Sequence, residues 1–185
     1  VLGHGDKLFR SSPVQIGTSS YISVSSKGFH AVAVTTDNKL FSWGRNTEGL
    51  VGDNTTNHRS SPVQISGDWY TAYAGNNVTH AITTSNALYG WGYGGLGGIG
   101  DNARLHRSSP VQVAEGTSFI AVSSGNGFSQ FIAANNTLYN TGMIEHGLLG
   151  TPTSGTPPQN VPFVVGYDKW RWVACGADFA LAVCK

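Results

Sequence analysis

Arg59-Ser60-Ser61-Pro62-Val63-Gln64 decides the fold, because the same six residue types begin at Arg10, at Arg59 and again at Arg107. The intervals are 49 and 48 residues, and a fixed period of this size is the mark of an array of small structural units. Working outward, Leu40–Ile65 aligned with Leu88–Val113 gives 14 identities in 26 positions. The matched pairs include Trp43 with Trp91, Gly44 with Gly92, Gly49 with Gly97, Gly52 with Gly100, Asp53 with Asp101 and His58 with His106. Together with Pro13, Pro62 and Pro110, the tryptophan, glycine and proline positions are read as structural marks of the repeat. A third copy has drifted: Leu138, Thr141-Gly142, Gly147 and Leu149-Gly150 keep its outline, and Pro162–Val165 stands for the proline strand. There Thr141 replaces tryptophan, and Thr151–Asn160 adds Pro, Thr and Ser.

Within one period the pattern predicts four short strands. Tyr21–Val24 is the first, with counterparts at Phe119–Val122 and Trp170–Val173. Ala31–Val34 is a short apolar run of the buried kind, and Lys39–Trp43 follows a turn at Asp37-Asn38. Asn and Asp suit such turns because they tolerate left-handed backbone. Pro62–Ile65 is expected as the fourth strand, with proline at its first residue, where the missing N–H costs no ladder bond. Glycine and proline interrupt every long window, so no helix is expected. A β-solenoid usually has a shorter period. The reading is therefore all-β: a β-propeller of four-stranded antiparallel blades, about four of them and partial at both ends. Approximate repeats run 1–19 (partial), 20–67, 68–116, 117–166 and 167–185 (partial).

Composition agrees. Small polar residues and 25 glycines suit tight turns, while 39% hydrophobic and 11% aromatic residues argue for a packed fold. With 11 Lys+Arg against 10 Asp+Glu and no basic cluster, a nucleic-acid surface is not expected. No apolar stretch reaches the roughly 18 residues of a membrane helix, so no membrane partner is expected. Cys175 and Cys184 are read as two buried free thiols, a disulfide being the other option.

The core Leu40-Phe41-Ser42-Trp43-Gly44-Arg45-Asn46-Thr47-Glu48-Gly49-Leu50-Val51-Gly52, followed by Pro62-Val63, resembles the repeat of the regulator-of-chromosome-condensation family. The Gly-x-x-His segment of that family is echoed by Lys27–His30 and by His80, and Cys175–Phe179 is similar to it as well. The resemblance implies a seven-bladed ring. This stretch supplies fewer than four blades, so the remainder is expected from a longer chain, further copies or other chains.

The chemistry-bearing residues read mostly as structure. Trp43 and Trp91 recur at fixed positions and are expected in blade packing; His58 and His106, one per blade, do not converge as metal ligands must. Asp53 and Asp101 are expected to bond nearby turn amides, and they lack the oxygen-rich spacing of a calcium loop. The string Gly90–Gly100 lacks the Lys-Ser/Thr ending and helix of a phosphate loop. No catalytic set, metal or cofactor is expected. Arg45, Glu48, Tyr93, Glu145 and His146 vary between repeats in the loop after the third strand, and they are the candidate protein-binding residues.

The expected function is thus a non-catalytic scaffold for protein partners, or for further blades of the same ring. A structural part of a virion or cell-surface assembly is the first alternative, with an extracellular or virion location favoured over a cytoplasmic one. The resemblance implies two others: guanine-nucleotide exchange on a small GTPase, and a secreted enzyme inhibitor. The sequons at Asn54, Asn77 and Asn135 do not establish secretion in so Asn- and Thr-rich a chain.

Overall fold

The computed structural model of the chain describes residues 2–6, 8–143 and 159–185, and every regular element among them is a β-strand. The first sheet holds β1 (Tyr21–Lys27), β2 (His30–Thr35), β3 (Leu40–Gly44) and β4 (Arg59–Ile65) in that order. The second holds β5 (Trp69–Ala74), β6 (Val78–Thr83), β7 (Leu88–Gly92) and β8 (Arg107–Val113). The third holds β9 (Phe119–Ser124), β10 (Phe128–Ala133), β11 (Leu138–Gly142) and β12 (Gln159–Val164). A two-stranded sheet of β13 (Trp170–Cys175) and β14 (Ala180–Cys184) follows. Each sheet is an antiparallel meander, the blade of a propeller.

Sequence chemistry fixes the local geometry. The turns joining second and third strands place Asn38, Asn86 and Asn136 in the left-handed region at φ 64°, 65° and 66°. Asparagine bears this conformation better than most residues. Each turn also carries a tie to the next blade, because the carbonyls of Asn38, Asn86 and Asn136 accept the amides of Trp69, Phe119 and Trp170 at 2.9 Å. One residue type therefore both closes a hairpin and positions the following sheet.

The fourth strand departs from expectation. It starts at Arg59, three residues before Pro62, and proline stands inside it. The ladder slips between the pairs Ser42–Val63 and Gly44–Arg59, so Ser60, Ser61 and Pro62 together oppose Trp43. An outer strand with a bulge is where a residue lacking an N–H is tolerated. Pro110 repeats this in β8, between the pairs Gly90–Val111 and Gly92–Arg107. Arg10–Ile16 carries the same seven residues as β4 but forms no strand, and Pro13 is exposed there.

Apolar layers between blades supply the core. Val32, Val34, Leu40 and Ile65 of the first sheet pack with Trp69, Ala72, Ala81 and Trp91 of the second. Ile82, Leu88 and Val113 meet Phe119, Val122 and Phe131 in the next layer. Trp43 and Trp91 are both buried, as their repeat position predicted. The Trp91 indole donates to the Leu50 carbonyl at 2.9 Å across the joint between blades. Gly52 faces that ring: at φ 85°, a Cβ would lie 2.7 Å from Trp91 Nε1. Thr141 takes the same part without a ring, its hydroxyl lying 3.0 Å from Gly97 O and 2.9 Å from Gln159 O.

The two cysteines depart in part from the sequence reading. Both are free, but Cys175 is only partly buried and Cys184 is exposed. Cys184 ends β14, the outer strand of the two-stranded sheet, where no further strand covers it among the described residues.

Candidate functional site

Arg45, Glu48 and Tyr93 lie at one end of the blades. There the turn between first and second strands meets the long connection between third and fourth strands, as the pairing of His30 with Gly44 shows. In the first sheet the connection spans residues 45–58, and in the second it spans the equal-length stretch 93–106. Both start alike: Arg45 N donates to Phe29 O at 2.8 Å, and Tyr93 N donates to Asn77 O at 2.7 Å.

Asn46 organises the first connection. Its side chain is fully buried, its Oδ1 accepts Val51 N at 2.8 Å, and its Nδ2 lies 3.0 Å from the carbonyls of Thr55 and Asn57. Asp53 Oδ1 is 3.2 Å from the same Nδ2, and the Asn46 amide donates to His58 Nδ1 at 2.9 Å. In the second connection Gly94 occupies Asn46's place, and its amide donates to His106 Nδ1 at 3.2 Å. A Cβ on Gly94 would fall 1.9 Å from Leu105 O, so backbone fills the space that the Asn46 side chain occupies in the first blade. The recurring histidines are structural acceptors, as their spacing implied.

The turn acids bond nearby amides as expected, and each also meets an arginine that opens the fourth strand. Asp53 Oδ1 accepts Thr55 N at 3.1 Å, and Oδ2 accepts Arg59 Nε at 2.5 Å. Asp101 Oδ1 accepts Ala103 N at 3.2 Å, and Oδ2 accepts Arg107 Nε at 2.6 Å. Burial pushes the Asp53 carboxyl upward, but hydrogen bonds from Thr55 and Arg59, with the charge of Arg59, outweigh it and hold the group below its ordinary value. The positive partner of each turn acid is thus a guanidinium. The sequence carries this signal as an arginine six residues after each aspartate.

Outward from this frame stand the variable residues. Arg45 pairs with Glu48 at 2.8 Å, and its guanidinium lies 5.7 Å from the centre of the Phe29 ring. Phe29 is 66% exposed. Tyr93 holds Arg45's place in the second sheet and stacks on His106 at 4.8 Å between ring centres. The structure brings Arg45 and Glu48 together and puts Tyr93 one blade away, while Glu145 and His146 lie outside the described residues. Phe29 was not singled out from the sequence, since only its neighbour Arg45 marks it.

The two histidines that echo one motif in the sequence are not equivalent in the fold. His30 opens β2 opposite Gly44, whereas the residue opposite Gly92 is Val78 and the one opposite Gly142 is Phe128. His80 stands two residues further on, opposite Gly90, where its ring uses the room that a side chain at 90 would take. Both are buried, and burial pushes each down to about 4. Thr79 Oγ1 donates to Leu50 O at 2.8 Å, so His30 Nε2, 2.8 Å from that hydroxyl, is the donor to it. His80 Nε2 donates to Ile99 O at 3.1 Å, leaving Nδ1 to accept from Ser124 Oγ at 3.0 Å. These rings join blades.

Comparison with known proteins agrees with this architecture. The Regulator of chromosome condensation (RCC1) repeat matches residues 37–82 and 135–183, together just over half of the chain, and a second description of the repeat matches residues 21–50. The ultraviolet-B receptor UVR8 of Arabidopsis thaliana is 40% identical over 67 residues, covering 35% of this chain and 15% of the receptor. The crystal structure of Prp20p from Saccharomyces cerevisiae superposes with a TM-score of 0.79 at 21% identity, over 87% of this chain and 43% of that one. Human WBSCR16 gives 0.75 at 23% identity, over 85% and 43%. The chain thus spans 15% of the receptor's length and 43% of each of the other two, and the two structures share its fold.

Proposed function

Because the chain belongs to the regulator-of-chromosome-condensation repeat family, we propose that it is a non-catalytic scaffold arc that holds a protein partner at the loop end of its blades. One observation carries this reading. Successive blades build the same frame at that end, with His58 or His106 below and Asp53–Arg59 or Asp101–Arg107 beside it. The same frame presents different chemistry outward, Arg45 with Glu48 and Phe29 in one blade and Tyr93 in the next. A repeated frame with varied outward residues is how a propeller distinguishes partners. His58, His106, Asp53 and Asp101 are engaged in holding this frame, which supports a binding role. The yeast relative of the same fold has been crystallised bound to Kap60, and it is described by its binding to Gsp1p and histones.

Further blades of the same ring are the second class of partner. Val24 on β1 and Leu181 on β14 are exposed on the outer sheets, whereas the residues at the same register positions, Ala72 and Val122 for Val24 and Val32 for Leu181, are buried. Additional blades, from this chain or another, would cover them.

A photo-crosslinking residue at position 45 or 93 tests the loop-end reading against one at Ser85 or Asn135, on turns at the opposite end. Discrete protein adducts from 45 and 93 only are expected; equal adducts from both ends, or none, overturn it. Nucleotide exchange on a small GTPase is a finer reading of the same surface. It requires faster nucleotide release when the protein is added, and an unchanged rate removes it.

A further inference from the structure

The first strands of neighbouring sheets touch one another, β1 with β5, β5 with β9 and β9 with β13, so they line the inner side of the arc. The turns that follow them are tied together at the loop end. Asn76 N donates to Gly125 O at 3.3 Å, Asn77 Nδ2 to Asn126 Oδ1 at 3.0 Å, and Asn126 N to Ala177 O at 2.9 Å.

One position in these turns differs between blades. Register equates Lys27 with Gly75, Gly125 and Gly176, each standing three residues before the residue it pairs with in the second strand. At the glycines a Cβ would strike a neighbour: Ser124 Cβ at 2.7 Å, the Phe128 ring at 2.1 Å and the Phe179 ring at 2.2 Å. Only the first blade has a side chain here, and it is a long cation. Lys27 Nζ reaches Ser124 O at 2.9 Å, Cys175 O at 2.7 Å and Gly176 O at 2.8 Å. Three donors meet three main-chain carbonyls, the full complement of an ammonium. Those carbonyls belong to the third and fourth sheets, so the side chain of the first blade spans the inside of the arc.

We infer that this inner mouth is a primary-ammonium site, built from the carbonyls of Ser124, Cys175 and Gly176 and filled by Lys27 of the same chain, and that the contact sets the curvature of the arc. Without it the first and fourth sheets are related through the intervening joints, and small errors at each joint add up. A side chain of fixed length bonded at its tip limits that spread. Charged hydrogen bonds are also stronger than neutral ones, and removing the cation leaves three inward carbonyls without it.

Lys27→Ala, followed by melting and amide exchange, tests the inference. It is expected to lower Tm by about 5 °C, given the usual effect of losing charged hydrogen bonds. Exchange at the amides of Asn126 and Gly176 is expected to accelerate about tenfold. Adding n-propylammonium, which restores the atoms lost beyond Cβ, should recover most of the lost Tm, while n-propanol and tetramethylammonium should recover none. Lys27→Met keeps the stem and must fall nearly as far. A Lys27→Met protein that melts like the parent, or rescue by n-propanol equal to that by n-propylammonium, would overturn the inference. If Lys27→Ala does not fold, amide exchange on Lys27→Met decides: acceleration at Asn126 and Gly176 supports the site, and unchanged rates refute it.

Discussion

The 45–58 and 93–106 connections have equal length, join equivalent strands and end on equivalent arginines, yet they are held in opposite ways. In the first, Asn46 fills the centre with a side chain that bonds Val51, Thr55 and Asn57. In the second, Gly94 leaves the centre open and the Leu105 carbonyl moves into it. An Asn-to-Gly difference between repeats would pass for a loss. Here it is a change of support, from a polar hub to close backbone packing, and the two are not interchangeable.

Forcing each support into the other blade should have the largest effects. Gly94→Asn drives a side chain into backbone at Leu105 and should cost about 4 kcal/mol, measured by denaturant unfolding. A cost below about 1 kcal/mol would mean that the second connection can open to accept the hub. Asn46→Gly leaves the Val51 amide and two carbonyls without their partner and should cost about 3 kcal/mol, with faster exchange of the Val51 amide.

The joints beneath the two connections give the next effect. His30 and His80 are neutral in the fold, their values lowered from 6.5 to about 4, so the unfolded chain binds more protons between those limits. Stability should therefore be full above pH 6.5 and fall as pH drops toward 4, by about 2 kcal/mol per histidine at pH 5. The two rings differ, since His80 has partners at both nitrogens and His30 Nδ1 has none among the described residues. His80→Gln should flatten the acid slope of the melting temperature, and an unchanged slope would remove His80 from its cause. The smallest effect belongs to the surface. Tyr93→Ala should cost under about 1 kcal/mol, because it loses one stacked contact at a partly exposed site. Crosslinks formed from position 45 should nevertheless weaken in this variant if one partner spans both blades.

The blades were legible because hydrophobic pattern, turn asparagines and the proline strand recur at one period, and each acts over a few residues. Thr141 could be recognised as the tryptophan's replacement for the same reason. What escaped the sequence depends on distance. The partners of Lys27 are 97 to 149 residues away, and no local pattern marks a lysine that reaches across an arc. His30 and His80 looked equivalent because a two-residue offset on a strand keeps the same face, and only the ladder distinguishes them. Among the candidate binding residues, Arg45, Glu48 and Tyr93 stand out by their variation between repeats, whereas Phe29 does not, because it meets Arg45 only once the sheet has formed.

Exchanging the supports in one protein tests the central claim most directly. The Asn46→Gly, Gly94→Asn double variant keeps composition and loop lengths while placing each residue at the other's position. Equilibrium unfolding should show a loss close to the sum of the two single variants, since each connection fails independently. A double variant that unfolds like the parent protein would contradict the account, because either residue would then serve in either connection.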